Sequence, residues 1–206
     1  MGGNRIEFFY DLSSPWTYIA FHNLAGVMER TGASVRLRPI LVGGVFNAVN
    51  PSVYAARESA DNPKFKHSWR VMKDWAALAG VTMNFPSVHH PAKSVNAMRM
   101  ACALEGDQPA LRGFVEAAFE SYFGRQENLD DPDVLIAVAT AAGLDGAAIA
   151  QASVTDANKL RLRANTDELV ARGGYGSPTI FVDQTDMYFG NDQLPLVEFA
   201  LKGKRP

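Results

Sequence analysis

Four residues near the N-terminus, Ser14-Pro15-Trp16-Thr17, combine hydroxyl groups with the predicted start of a helix. Residues 6–10 form a short apolar run rich in β-formers, and a helical pattern of apolar residues follows at 15–30. Serine followed by proline is a common helix start, so Ser14 is predicted to cap this helix. A helix N-terminus also presents unpaired N–H groups and partial positive charge, which favour an anion. The junction therefore predicts an anion site to which Ser14 donates a hydrogen bond.

The residue types disfavour several other chemistries. No G-x-S-x-G elbow surrounds Ser14, so a Ser-His-Asp hydrolase is not predicted. His89 and His90 are adjacent, and adjacent histidines do not face one ion; with no cysteine or carboxylate at ligand spacing, no metal site is predicted. Cys102 is the single cysteine, which excludes an internal disulfide, and it is predicted to be a buried, inert thiol.

The composition is that of an ordinary globular protein. The 206 residues are 47% apolar and 20% charged, with a formal net charge of −2. This balance gives no indication of binding to nucleic acid or to an anionic membrane. No run approaches the roughly 18 apolar residues of a membrane helix, and the N-terminus lacks a signal-peptide pattern. With one cysteine, these features predict a cytoplasmic protein.

Strand patterns occur only at the two ends of the chain. They cover residues 6–10, 34–40, 178–183 and 187–189. Helical patterns cover residues 15–30, 63–79, 94–105, 110–123, 131–142, 145–152, 154–172 and 194–201. The order is β-α-β, a helical block, then α-β-β-α, and the first two strands are predicted to be parallel. We predict one α/β domain from residues 1–44 and 153–206, with an inserted all-α subdomain at 45–152.

This order, and five short motifs, resemble a known family. The order β-α-β … α-β-β-α is that of the thioredoxin fold, and Ser14-Pro15-Trp16-Thr17 has the form of a C-P-x-C motif without its sulfurs. The motifs are F-F-Y-D-L-S-S-P-W-T-Y at 8–18, L-V-G-G-V-F at 41–46, S-V-N-A-M-R at 94–99, Y-G-S-P-T at 175–179 and F-G-N-D at 189–192. The chain thus resembles 2-hydroxychromene-2-carboxylate isomerases and kappa-class glutathione transferases, which are related to DsbA.

The resemblance implies glutathione as cofactor and Ser14 as the residue that activates its thiol. The implied cofactor-binding residues are Ser14, Pro15, Trp16, Asn50, Ser177, Pro178, Asn191 and Asp192. Pro178 is expected to follow a cis peptide bond, which leaves both backbone groups of Ser177 for the cysteinyl unit. Asp192 and Asn191 are expected at the γ-glutamyl end, and Asn50 at the glycyl end with Asn47 as a rival. Trp16 fits either the core or the pocket wall.

The implied activity is isomerisation of 2-hydroxychromene-2-carboxylate in the breakdown of naphthalene-type aromatics, by a homodimer. An acidic aromatic substrate requires cations or amides, and Asn47, Lys64 and Arg99 are the candidates for that role. One alternative is a kappa-like transferase or peroxidase that consumes glutathione. Another is a catalytically silent glutathione-binding module. A thiol-disulfide oxidoreductase is excluded by the cysteine count.

Overall fold

The computed structural model of the chain describes residues 5–53 and 63–203, apart from the side chain of Phe65. In chain order its elements are β1 (Arg5–Tyr10), α1 (Pro15–Thr31), β2 (Ser34–Pro39), α2 (Val42–Val49), α3 (Pro63–Ala79), α4 (Val95–Ala103), α5 (Gln108–Phe119) with a π-helical turn (Glu120–Gly124), α6 (Pro132–Ala141), α7 (Gly146–Ser153), α8 (Asp156–Ala171), β3 (Thr179–Val182), β4 (Asp186–Phe189), a 3-10 turn (Asn191–Gln193) and α9 (Leu194–Leu201).

The strands form one mixed sheet in the order β2-β1-β3-β4. β1 pairs in parallel with β2, with Phe8 opposite Leu37, and antiparallel with β3, with Phe8 opposite Ile180. β3 and β4 form the antiparallel hairpin. The central strand β1 is buried from Ile6 to Tyr10, which explains its nearly continuous apolar run. The predicted α/β order and the parallel pairing of the first two strands are confirmed.

Helix α1 is fixed at both ends by the residues that the sequence indicated. Ser14 accepts a hydrogen bond from Thr17 N–H, and Pro15 occupies the first turn, where it needs no donor. Gly32 ends the helix with φ 66°, a left-handed conformation that glycine adopts without steric cost. Between these caps, Ile19, Leu24 and other apolar side chains pack onto the core.

Buried charges hold α8 against the sheet. Arg38 on β2 lies 3.4 Å from Glu7 Oε1 and, through Nε, 3.2 Å from Glu105 Oε1 without hydrogen-bond alignment; it also pairs with Glu168. Arg172 donates to Glu7 Oε2 at 2.8 Å. Burial acts to raise the pKa of Glu168, but the Arg38 and Arg172 guanidinium groups outweigh it, so this pKa lies below its ordinary value.

Every predicted helix is present, with small shifts at the ends, and among the described residues one further helix, α2, was missed. Helix α2 contains Gly43-Gly44, which lowers helix propensity and concealed it in the sequence. Its buried Val45 packs in a cluster with Phe9, Ile40, Leu169 and Phe181. The predicted boundary between residues 44 and 45 falls inside α2, whereas the division into two subdomains stays a prediction.

Candidate functional site

Ser14 lies where the loop after β1 enters α1, and its hydroxyl makes two hydrogen bonds. Its Oγ accepts from Thr17 N–H at 3.2 Å and donates to the carbonyl of Ser177 at 3.2 Å. The side chain is half-buried. Trp16 N–H, in the same first turn, has no hydrogen-bond acceptor among the described residues. One hydroxyl therefore caps the helix and also faces the loop that comes before β3.

The loop before β3 meets Ser14 through the cis peptide bond Ser177–Pro178, as expected. Ser177 Oγ accepts from Asp11 N–H at 2.9 Å and lies 2.7 Å from Thr17 Oγ1. The expectation that both backbone groups of Ser177 are open is only half right. Its N–H has no partner within the described residues, whereas its carbonyl already accepts from Ser14.

Asp11 connects three parts of the site, and the sequence reasoning did not single it out. Its carboxyl is fully buried and accepts from Ser13 N–H at 2.9 Å, from Ser13 Oγ at 2.8 Å and from Val42 N–H of α2 at 2.8 Å. Burial raises the pKa of this carboxyl, although hydrogen bonds from Ser13, Val42 and Ser94 limit the rise. An acidic residue directly after a buried strand was the available signal.

We expect Asp11→Asn to lower the free energy of unfolding by about 2–3 kcal/mol, because an amide nitrogen would face N–H groups that now share a carboxylate. Urea denaturation followed by circular dichroism measures this. Asp131→Asn is the matched control: Asp131 is an exposed N-cap with one bond to Asp133 N–H, and asparagine caps equally well, so its cost is below about 0.5 kcal/mol. Equal costs for the two variants would contradict the connecting role of Asp11.

Trp16 and Asn50 flank Ser14 and Ser177 from different elements. Trp16 is half-buried and packs against Ile19, Met72 and other apolar residues between α1 and α3. Asn50 ends α2 and its Nδ2 donates to the carbonyl of Tyr175 at 3.2 Å, in the loop leading to Ser177. Asn47, the rival candidate, is exposed. Asn50 is thus hydrogen-bonded to the loop before β3.

Asn191 and Asp192 follow β4 beside the same loop, because Gly190 N–H donates to the carbonyl of Pro178 at 3.1 Å. Asn191 is buried, and its Oδ1 accepts from Asn23 Nδ2 of α1 at 2.8 Å. Asp192 is exposed. The structure thus brings both residues next to Pro178, with Asp192 open to solvent and Asn191 holding the 3-10 turn against α1.

A known protein family matches almost the entire chain. The sequence profile of the DsbA-like thioredoxin domain matches residues 5–202. The chain belongs to this DsbA-like thioredoxin family. A solved structure of a 2-hydroxychromene-2-carboxylate isomerase superposes with a TM-score of 0.80 at 22% identity, covering 97% of this chain and 95% of that one. This similarity confirms the thioredoxin-like fold.

Among the sequence relatives are two kinds of enzyme. A 2-hydroxychromene-2-carboxylate isomerase of Sphingobium xenophagum is 28% identical over 196 residues, covering 95% of this chain and 97% of that protein. Glutathione S-transferase kappa 1 of Rattus norvegicus is 26% identical over 209 residues, covering 97% and 91%. The predicted relationship to these two groups is confirmed.

The three candidates for substrate contact lie on three different helices of this DsbA-like chain. Lys64 lies exposed in the first turn of α3, and Asn47 is exposed on α2. Arg99 is half-buried on α4 and lines a groove between α2 and α8. None of the residues that surround Ser14 contributes to the lining of this groove. The role of Asn47, Lys64 and Arg99 in substrate binding stays a prediction.

Cys102 is buried, as predicted, on α4 of the DsbA-like fold. Burial raises its pKa to about 12. At pH 8 its thiolate fraction is about 10⁻⁴, so we expect it to react with Ellman's reagent about 10³-fold more slowly than free cysteine. Absorbance at 412 nm measures the rate, and the chain unfolded in guanidinium is the control that reacts at the ordinary rate. Rapid labelling of the folded protein would refute this prediction.

Neither a metal-ion cluster nor a membrane-spanning helix is present among the described residues. Within residues 5–53 and 63–203, no group of three or more histidine, cysteine, aspartate or glutamate side chains is arranged to hold a metal ion. In the same ranges, no helix combines the length and the hydropathy needed to cross a membrane.

Proposed function

We propose that the protein is a glutathione-dependent isomerase of the 2-hydroxychromene-2-carboxylate type, acting on an aromatic carboxylate from the breakdown of naphthalene-type compounds. One observation carries the proposal: the Ser14 hydroxyl lies at the N-terminus of α1 and bridges to the Ser177 carbonyl next to a cis proline. The family relationship supports an enzyme that uses glutathione, because the relatives include both the isomerases and kappa-class glutathione S-transferases.

The polar groups around Ser14 suit a cysteinyl unit. Ser177 N–H and Trp16 N–H have no acceptors among the described residues, and Ser14 supplies a hydroxyl donor between them. Asp192 offers an exposed carboxylate to an ammonium group, and Asn50 is hydrogen-bonded to Tyr175 in the loop before β3. These residues would hold glutathione, with its sulfur at Ser14. When bound, glutathione supplies a thiolate that adds reversibly to the conjugated substrate.

Ser14 has one task in this proposal, which is to hold the sulfur as an anion. A free thiol has a pKa of about 8.5, so only a few per cent is ionised at neutral pH. Lowering that pKa by about two units requires roughly 2.7 kcal/mol of preference for the anion. A charge-assisted bond from the Ser14 hydroxyl and the positive end of α1 can supply this amount together. To do so, the hydroxyl hydrogen must turn from the Ser177 carbonyl to the sulfur.

The hydroxyl at Thr17 disfavours dithiol–disulfide exchange at this site. Thr17 Oγ1 is fully buried and is 2.7 Å from Ser177 Oγ, at the position where a redox relative carries its second cysteine. With hydroxyls at both positions and Cys102 buried elsewhere, the chain has no dithiol to oxidise. The kappa-like transferase or peroxidase remains the second candidate, because it needs the same thiolate.

The test follows chromene carboxylate spectrally with catalytic amounts of glutathione. An isomerase completes many turnovers per glutathione, and the glutathione concentration does not fall. A transferase or peroxidase consumes one or two equivalents per turnover, which assay of the free thiol reveals. A silent binding module binds glutathione saturably without turnover and without lowering the thiol pKa. A rate that is the same with and without glutathione would overturn the proposal.

A further inference from the structure

A groove of about 510 Å³ is lined by residues of α2 and α8 and by Arg99 of α4. Small residues open it: Gly44 and Ala48 on α2 and Ala171 at the end of α8. A Cβ at position 44 would come 3.2 Å from the Thr166 methyl, so glycine there lets α2 approach α8 closely. The apolar lining comes from Leu41, Leu162 and Val170. This volume is ample for a small organic molecule.

The charged residues of the groove are mostly cations. Arg99, Lys159 and Arg163 line it together with one acid, Asp167. Lys159 pairs with Asp156 at 3.1 Å and Arg163 pairs with Asp167 at 3.6 Å, both at the exposed rim. Arg99 differs from them, because it is half-buried and makes no hydrogen bond or ion pair with any described residue. A half-buried guanidinium whose N–H donors are unpaired favours a carboxylate or sulfonate.

From these observations we infer that the groove is a second binding site, for an organic anion with a compact apolar body. The anionic group pairs with Arg99, and the apolar body lies on the aliphatic floor between α2 and α8. The Ser14 site is separate, since neither Ser14, Trp16 nor Ser177 lines the groove. The inference therefore does not depend on glutathione or on the proposed isomerisation.

The groove nevertheless adjoins the Ser14 site through the first turn of α2. Leu41 N–H donates to Thr166 Oγ1 at 3.0 Å on the groove side, and the next N–H, of Val42, donates to Asp11 at 2.8 Å. Asp11 in turn donates through its N–H to Ser177 Oγ. A ligand in the groove would thus lie beside the first turn of α2, which is hydrogen-bonded to the Ser14 site through Asp11.

The probe for this site is sodium 2-naphthoate, titrated calorimetrically into the full chain without glutathione. We expect saturable binding that weakens about tenfold or more in Arg99→Gln, because a charge-assisted hydrogen bond is lost. Arg161→Gln is the matched control: it removes the same charge from an exposed position of α8 outside the groove, and its affinity should stay within about twofold. Neutral 2-naphthamide should bind the native protein and Arg99→Gln equally.

Two further variants locate the site. Ala48→Trp fills the groove and should abolish naphthoate binding, with circular dichroism and the urea midpoint as checks on folding. Ser14→Ala should bind naphthoate as the native protein does, even if it loses all turnover. The inference fails if the native protein shows no saturation up to several millimolar naphthoate, or if Arg99→Gln and Arg161→Gln bind alike. It also fails if Ser14→Ala alone removes binding. If Ala48→Trp does not fold, the two arginine variants still decide the outcome.

Discussion

In Ser14→Ala we expect the pKa of bound glutathione to rise by about one to two units and kcat/KM at neutral pH to fall about 10–100-fold. The variant loses the hydroxyl that would donate to the sulfur, and hydrogen bonds to charged groups contribute about 1.5–3 kcal/mol. Ultraviolet absorbance of the thiolate near 240 nm, titrated against pH, reports the pKa directly. The pH profile of kcat/KM should shift by the same amount.

Ser14 is also the N-cap of α1, so a control must separate the two roles. Glycine is a tolerated N-cap that costs only a few tenths of a kcal/mol, whereas alanine costs about 1 kcal/mol. Ser14→Gly should therefore raise the thiol pKa as much as Ser14→Ala does, with a smaller loss of stability. Ser14→Thr keeps a hydroxyl, so the pKa of the bound thiol in this variant should lie close to that in the native protein. If the thiol pKa in Ser14→Gly equals that in the native protein, the Ser14 hydroxyl does not stabilise the thiolate.

The largest loss of stability is expected for Arg38→Ala, at about 3–5 kcal/mol of unfolding free energy. Its guanidinium lies among Glu7, Glu105 and Glu168, and the first two are buried. Removing one partner of a buried ion pair leaves charges without compensation, which is much more costly than losing an exposed pair. Chemical denaturation at pH 7 measures the difference.

Arg36→Ala is the control for this variant, because Arg36 lies two residues earlier on the same strand and is exposed. Its cost should stay below about 0.5 kcal/mol. The pH dependence gives a second readout through Glu168, whose folded pKa lies below its ordinary value of 4.5. Stability from such a group is present above 4.5 and is lost as the pH falls through the folded pKa. The difference in unfolding free energy between the native protein and Arg38→Ala should therefore decrease as the pH falls.

Local sequence patterns predicted the features that depend on neighbouring residues. Ser14-Pro15 and Gly32 determine the ends of α1 by capping, which involves only a few consecutive residues. The strand patterns likewise predicted the elements of the sheet. The family resemblance added the cis bond before Pro178, which the sequence around it does not specify.

The missed features depend on contacts between distant segments. Helix α2 contains two adjacent glycines, and it is held by Val45 in a cluster with Leu169 and Phe181, far along the chain. Asp11 acquires its role only when α2 and the loop before β3 fold against it. Arg99 was singled out by its charge alone, and packing of α4 against α8 places it in the groove lined by α2 and α8, while its role in substrate binding stays a prediction. Spacing along the chain could not show any of these relationships.

A ligand must compete with the Ser177 carbonyl for the hydrogen bond that the Ser14 hydroxyl donates. An amide oxygen is a better acceptor than a neutral thiol or thioether, and a thiolate is better than either. The hydroxyl therefore keeps its intramolecular partner until a negatively charged sulfur competes for it. In the proposed glutathione site, S-methylated glutathione should bind through its peptide groups and leave the hydrogen bond between Ser14 and the Ser177 carbonyl in place, so the orientation of one hydroxyl hydrogen would distinguish ionised from blocked sulfur.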